Sequence, residues 1–328
     1  MALMREKPRA AGSASVDGAR AFVSLDELLR LKHRASGFSF LPRQPVHSLL
    51  TGRHASRLRG RGLDFEELRH YVEGDDTRAI DWTATARLGT PHVRVYTEER
   101  DRNVLLLVDQ RRSMFFGSRR AMKSVVAAEA AALSAFRVAS LGDRVGAIVF
   151  SEAGGVTEIR PESRDAGVRR ILPEIVRHNG LLSAGSEAIS DPSLLNDALR
   201  RATRLASHDW LVCLISDTAG ADDETVKQVT RLTAHNDVLS VFVSDPLEAE
   251  LPDIGRAVLA DGRQQIEVDL SARDLRRGFA AGYAERRANA ARFSLQRAIP
   301  VLAVMTDRDV LEQLREQLGR RLARHRAA

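Results

Sequence analysis

Cysteine is almost missing from this chain: its 328 residues include one, Cys213. A single thiol cannot close an internal disulfide. Inside the apolar run that ends at Asp217 it reads as a small core residue rather than a nucleophile. That usage suits a reducing compartment, and the expected location is the cytoplasm. Aromatic residues are also scarce, at 5%. They are not interleaved with the basic stretches Arg53–Arg61 and Arg320–Arg326, so the stacking platforms of a single-strand nucleic-acid binder are missing. The second stretch reads more simply as a helix end whose cations complement the helix dipole. No apolar run approaches the ~18 residues of a membrane-spanning helix. Residues 1–20 lack the apolar core of a signal peptide and read as a disordered leader. No phosphate-cradling glycine loop, nucleophile elbow or His-Glu-x-x-His occurs. The nine histidines are scattered.

What the chain does have is ordinary globular material, 44% hydrophobic and 29% charged, enough to bury a sizeable core. The net charge of +6 is carried mostly by arginine, interleaved with acids, which describes a solvated mixed surface rather than a nucleic-acid stripe.

The pattern from residue 103 onward is regular. Val104–Asp109 is a continuous apolar run that stops at one acid. A polar loop carrying Ser113 follows, and then an Ala-rich helical pattern over Arg119–Leu141. Val145–Phe150, Trp210–Asp217, Val238–Ser244 and Pro300–Thr306 repeat the buried-strand pattern. Helical periodicity lies between them at Ala166–Arg177, Leu194–Leu205, Asp223–Ala234 and Ala272–Gln296. Val156–Arg160 and Ile266–Asp269 read as short strands, and Asp307 as the cap of a last helix. Strands buried on both faces and alternating with helices predict an α/β fold with a doubly wound, mainly parallel, Rossmann-type sheet over 101–328. Ligands of such sheets bind at the carboxyl ends of strands, where Asp109 and Asp217 both fall.

The N-terminal part, 21–100, reads as a small α+β extension. Ser24 and Glu27 form a capping box ahead of a short helix. Phe38–Pro45 reads as loop, and Ser56–Gly62 as a basic connector or contact. Phe65, Leu68 and Val72 have helical spacing, and Gly74 ends that turn. Asp75 or Asp76 is placed to cap a second short helix carrying Ile80 and Trp82. Asp75, Asp76 and Asp81 are expected to cap and to pair with Arg78 or Arg87, not to bind metal, since no His or Cys completes a set. His92–Glu99 alternates like a strand with one wet face, and is expected to pair with Val104–Asp109.

Two carboxylates at adjoining strand ends need a cation between them, because like charges at ~4 Å repel by several kcal/mol. The candidates are a divalent ion, a guanidinium or a proton. Ser113 and Ser193 would complete an oxygen shell suited to Mg²⁺.

At these residues the chain resembles a known family. Asp109-Gln-Arg-Arg-Ser113 stands where the von Willebrand factor A fold carries the Asp-x-Ser-x-Ser of its metal-ion-dependent adhesion site. Ser193-Leu-Leu-Asn-Asp-Ala-Leu resembles the second motif of that site, and Ser216-Asp217 the third. Gly74-Asp-Asp-Thr-Arg-Ala-Ile-Asp-Trp and Arg94-Val-Tyr-Thr-Glu-Glu are similar to the signature of the bacterial DUF58 family, and the likeness covers roughly 50–310. It implies a non-enzymatic protein-interaction module of the short soluble form. The implied partners are a MoxR-type AAA+ ATPase and a client protein. The metal site would use Asp109, Ser113, Ser193 and Asp217, and the contact surfaces would include Arg111, Arg112, Asp75, Asp76, Asp81 and Trp82. One position departs from the motif. Arg111 replaces the first serine, and a guanidinium cannot ligate a cation. Either Arg111 turns inward, pairs with Asp109 or Asp217 and replaces the metal, or it points outward and a weakened Mg²⁺ site survives. The inward arrangement is the expectation, with no cofactor. The alternative function is a metal-dependent hydrolase or phosphatase using Asp109 and Asp217.

Overall fold

The computed structural model describes residues 19–38, 63–98, 101–183, 191–251, 255–260, 265–297 and 299–326. The expected leader up to residue 18, the loop beyond Phe38 and the basic stretch Ser56–Gly62 lie outside them. The elements begin with α1 (Leu25–Arg30), β1 (Leu63–His70), α2 (Trp82–Leu88) and β2 (His92–Glu98). The central unit follows with β3 (Asn103–Asp109), α3 (Lys123–Ser140), β4 (Arg144–Ser151), β5 (Gly155–Ser163), α4 (Asp165–Gly180), α5 (Ser193–Leu205), β6 (Leu211–Ser216), α6 (Asp223–His235) and β7 (Asp237–Ser244). Last come α7 (Pro246–Ala249), β8 (Arg256–Ala260), β9 (Gln265–Asp269), α8 (Arg273–Arg297), β10 (Val301–Met305) and α9 (Val310–Arg326).

Six strands form one sheet in the order β10-β7-β6-β3-β4-β5. All neighbours are parallel except β4 and β5, which form an antiparallel hairpin at the edge. Chain order reverses at β3, so the gap between the ends of β3 and β6 is the switch point of a doubly wound sheet.

Successive residues of the inner strands serve opposite faces. Val104, Leu106 and Val108 enter one core with α3, α4 and α9, while Leu105 and Leu107 enter a second core with α5 and α6. That division is why these strands are apolar without a break. The alanines of α3 bring it close to the sheet, and α4, α9 and α1 pack around it, so α3 is buried on nearly every side. Gly146 is needed where β5 bulges against β4, because a Cβ there would stand 2.5 Å from the Ile159 carbonyl oxygen.

The structure corrects several expectations. Leu63–His70 is a strand, not a helix, and pairs antiparallel with β2. A bulge between Phe65 and Glu67 makes Glu66 the extra residue. With Glu66 extra, Phe65 and Leu68 pair with Tyr96 and Arg94, two positions apart on β2, so a three-residue interval arises in β1 without a helical turn. β2 does not join β3, whose two edges are taken by β4 and β6. β9 likewise pairs with β8 in a separate hairpin. α3 begins at Lys123, not Arg119, because the preceding backbone is held extended by Arg20. The Arg20 N–H donates to the Arg120 carbonyl, and the Met122 N–H donates to the Arg20 carbonyl, both at 3.0 Å. Asp309, not Asp307, meets the start of α9, accepting from the Glu312 N–H at 3.2 Å.

The segment 20–38 belongs to the central core. Val23, Leu28, Ala35 and Phe38 are all buried in it. Ser24 and Glu27 form the capping box on α1. The Val23 N–H donates to Asn179 Oδ1 at 2.9 Å, and Asn179 Nδ2 donates to Gln110 Oε1 at 3.0 Å. The N-terminal arm is thereby tied to the loop that leaves β3.

Candidate functional site at the strand ends

β3 delivers Asp109 to the sheet's carboxyl edge, fully buried, and β6 delivers Ser216 and then Asp217 beside it. The loop after β3 turns back at once, because the Arg111 N–H donates to Asp109 Oδ1 at 2.9 Å. Arg111 is 2% exposed and lies inward. Its Nε is 3.0 and 3.1 Å from the two Asp109 oxygens, and its Nη2 donates to Oδ2 at 2.7 Å. Nη1 donates to the Ala219 carbonyl at 3.0 Å, and Nη2 stands 3.8 Å from Asp217 Oδ1. The guanidinium carbon lies 5.7 Å from the Phe150 ring centre.

Asp217 is equally committed. Oδ1 accepts from the Ala219 N–H at 3.0 Å and from Ser113 Oγ at 3.2 Å, and Oδ2 accepts from Lys123 Nζ at 2.8 Å. Ser216 Oγ donates to Asp109 Oδ2 at 2.7 Å. Lys123 Nζ also donates to Glu248 Oε1 at 2.6 Å, and Arg286 Nη2 donates to the same oxygen at 2.8 Å. Asp109, Asp217 and Glu248 thus alternate with Arg111, Lys123 and Arg286 in one buried, formally neutral network reaching from the first loop to α8.

At three of these groups burial and the neighbouring charges act in opposite directions. Burial by itself would raise the Asp217 pKa, but the Lys123 and Arg111 charges outweigh it and hold the carboxyl at about 2. Burial works against the charged forms of Lys123 and Arg111 as well. Asp217 and Glu248 nevertheless raise the Lys123 pKa, and Asp109, Asp217 and Glu152 raise that of Arg111.

This arrangement does not fit a Mg²⁺ ion. A divalent ion needs free carboxylate oxygens at ~2.0–2.1 Å. Here every oxygen of Asp109 and Asp217 already accepts a hydrogen bond, and a guanidinium stands between them. Among the described residues no group of three His, Cys, Asp or Glu side chains is placed to hold a metal. Asp109, Arg111, Ser113 and Asp217 come together; Ser193 does not join them. It is the exposed first residue of α5, where its N–H donates to Asp191 Oδ1 at 2.9 Å. Arg112 is exposed beside the site, its N–H donating to Glu152 Oε2 at 2.8 Å.

The acids of the hairpin segment lie in a different setting. Asp76 accepts from the Arg78 N–H at 3.0 Å, and Asp81 caps α2 through the N–H groups of Thr83 and Ala84. Their expected partners Arg78 and Arg87 are corrected to others: Asp75 pairs with both terminal nitrogens of Arg69 at 2.7 Å, and Asp81 with Arg94 at 2.8 Å. Arg69 comes from β1, the strand misread as a helix, and Arg94 from β2, read correctly as a strand but assigned to another partner. Trp82 is 69% exposed.

Sequence reasoning missed Lys123, Glu248 and Arg286, and it named Ser216 only as part of the third motif. One signal was available for Lys123: the chain has only four lysines, and this one sits at the head of an otherwise Ala- and Val-rich helix. A second polar cluster lies at the end of β4, where Ser151 Oγ is 2.7 Å from His178 Nδ1. Arg177 Nη2 is 2.8 Å from His178 Nε2 and can only donate, so Nε2 accepts and the proton sits on Nδ1. The imidazole therefore donates to Ser151 and cannot act as its base. Burial and the Arg177 charge push the His178 pKa down to about 4.

Sheet order and switch-point cluster define a doubly wound, Rossmann-type α/β domain. Within that class the chain belongs to the DUF58 family: the family model, described as a protein of unknown function, matches residues 67–289. Uncharacterised proteins of Mycobacterium tuberculosis (Rv1480) and Mycobacterium bovis (Mb1516) are each 32% identical over 277 residues, covering 83% of this chain and 84% of theirs. Among solved structures, BatB from Bacteroides thetaiotaomicron is similar with a TM-score of 0.36 and 14% identity, over 68% of this chain and 99% of that one. A von Willebrand factor type A protein from Catenulispora acidiphila aligns with a TM-score of 0.31 and 12% identity, over 68% of this chain and 43% of that one. At such scores the fold assignment rests on the strand order of this chain itself.

Proposed function

We propose that this DUF58 protein is a cytoplasmic protein-interaction module, an adaptor or co-chaperone of a MoxR-type AAA+ ATPase, that recognises its partners through the strand-end loops without Mg²⁺. The observation that carries the reading is the Arg111 guanidinium seated against Asp109 and 3.8 Å from Asp217, where a divalent ion would have to stand. The internal cation makes the site a buried, neutral support for the loops above it rather than a metal-gated contact. The loops around it then supply the contacts: Arg111–Gly117, Asp217–Asp222 and the exposed Arg112. The DUF58 signature segment, with Asp75, Asp76, Asp81 and exposed Trp82, offers a second contact surface.

A hydrolase reading through Asp109 and Asp217 has less support. Both carboxylates are saturated by cations and hydroxyls, and the Ser151–His178 contact has its proton on the wrong nitrogen.

Isothermal titration with Mg²⁺ or Mn²⁺ tests the internal-cation reading. The wild-type chain should show no stoichiometric binding, and Arg111→Ser should create it. Tight wild-type binding abolished by Asp109→Ala would overturn the reading. The ATPase partnership is tested separately by affinity capture from the native host, and repeated recovery without an AAA+ protein would remove that part.

A further inference from the structure

Helix α8 is longer than its place in the sheet requires. As the crossover from β7 to β10 it has to descend from the carboxyl edge to the start of β10. Asp223 opens α6 at that edge, and Arg292 already reaches it, Nη2 to Oδ1 at 3.0 Å. The part of α8 before Arg292, beginning at Arg273, is therefore not needed for the descent, and at ~1.5 Å per residue it spans roughly 28 Å.

That part crosses the loops of the candidate site. The Phe279 ring lies against Phe116 of the β3–α3 loop, centroids 5.8 Å apart. The Arg286 carbonyl accepts from Thr218 Oγ1 at 2.9 Å, and its side chain reaches Glu248. Asn289 Nδ2 donates to the Ala221 carbonyl at 3.3 Å. Phe279, Arg286 and Asn289 recur at helical spacing along one stripe, while most of the remaining positions are exposed. Thr218, the residue beneath, has φ +56°, which a β-branched side chain rarely adopts, and its hydroxyl ends on α8.

We propose that α8 is an internal occupant of a helix-binding surface at the strand ends. The external partner of that surface is then an amphipathic helix of the same chemistry: an aromatic residue for Phe116 and, seven residues on, an arginine for Glu248. This rests on the reading of the strand-end loops as the recognition face. Glu248 is shared between buried Lys123 and Arg286, so an incoming guanidinium replaces Arg286 with no net change of buried charge. Before Arg292, α8 rests on the loops and on α7 by one stripe and leaves most of its other described positions exposed, the kind of docking another helix can exchange with.

The test uses the full chain and a fluorescein-labelled synthetic peptide of residues 273–297. Wild type, its surface filled internally, should bind the peptide at least tenfold more weakly than the triple variant Phe279→Ala/Arg286→Ala/Asn289→Ala. A folded triple variant that ignores the peptide, or wild type binding it equally well, overturns the proposal. Hydrogen exchange on wild type gives a decision that does not depend on the variant folding. Amides of 279–289 and 219–221 should open together while β3 and β6 stay closed. If α8 opens only with β3 and β6, it is core and the proposal falls. Neither readout involves an ATPase, so failure of that partnership is seen separately.

Discussion

The strand-end cluster and the β1–β2 hairpin use the same pairings, aspartate with a basic side chain, to opposite ends. In the cluster, Asp109, Arg111, Lys123 and Asp217 are at most 2% exposed, and each charge has no neutraliser but its neighbours. In the hairpin, the Arg69–Asp75 and Arg94–Asp81 pairs keep arginines that are 34% and 47% exposed. A buried network of this kind contributes little beyond an apolar core of equal volume, but removing one member leaves an uncompensated charge. Exposed pairs are screened by water and contribute about 0–1 kcal/mol. The difference shows where this chain tolerates change and where it does not.

The largest effect should come from Lys123→Met, which takes from Asp217 its 2.8 Å cation, leaves Glu248 to Arg286 alone and makes the buried network one positive charge short. We expect a loss of roughly 3–5 kcal/mol, read as a lower urea midpoint. A midpoint within error of wild type would mean that the network is far wetter than its burial indicates. Next is pH. His178 has a folded pKa of about 4, below its ordinary 6.5, so the unfolded chain binds the extra proton first. Its contribution is complete above 6.5 and is lost as pH falls through 4, up to about 3 kcal/mol in all. Asp217, also lowered, adds its loss only as pH falls toward about 2. Denaturant midpoints measured from pH 7 to pH 4 should therefore drop in wild type and flatten in His178→Gln. A smaller effect is expected in the hairpin: Asp81→Ala removes a helix cap and an exposed pair, read as faster hydrogen exchange confined to α2. Smallest is Trp82→Ala, within ~0.5 kcal/mol in stability because the ring is already in water, so any loss of partner capture in that variant reports on contact alone.

The same contrast explains what the sequence could disclose. The central strands were legible because Val104–Val108 and Leu211–Ile215 face a core on both sides, and continuous apolar runs admit few other readings. Arg111 was legible because one residue broke a spaced motif whose chemistry demands hydroxyls. The hairpin was not, because a bulge at Glu66 gives strand residues a helical interval. Lys123 and Glu248 were not, because neither sits in a motif and 125 residues of chain separate them. The docking of the N-terminal arm was hidden for a different reason: besides its buried apolar side chains, it is tied down by backbone groups, by the neutral amides Gln110 and Asn179 and by ion pairs such as Arg34–Asp309, whose distant partners no periodicity announces.

Cys213 sits in β6 with its neighbours Leu106 on β3 and Leu239 on β7, and burial pushes its thiol up to about 12. Its side chain lies in the core between the sheet and α3, so a thiol reagent can reach it only when that core opens. The chain carries its own clock: the rate of Cys213 labelling measures how often the core over the middle of the sheet comes undone, without adding a reporter anywhere.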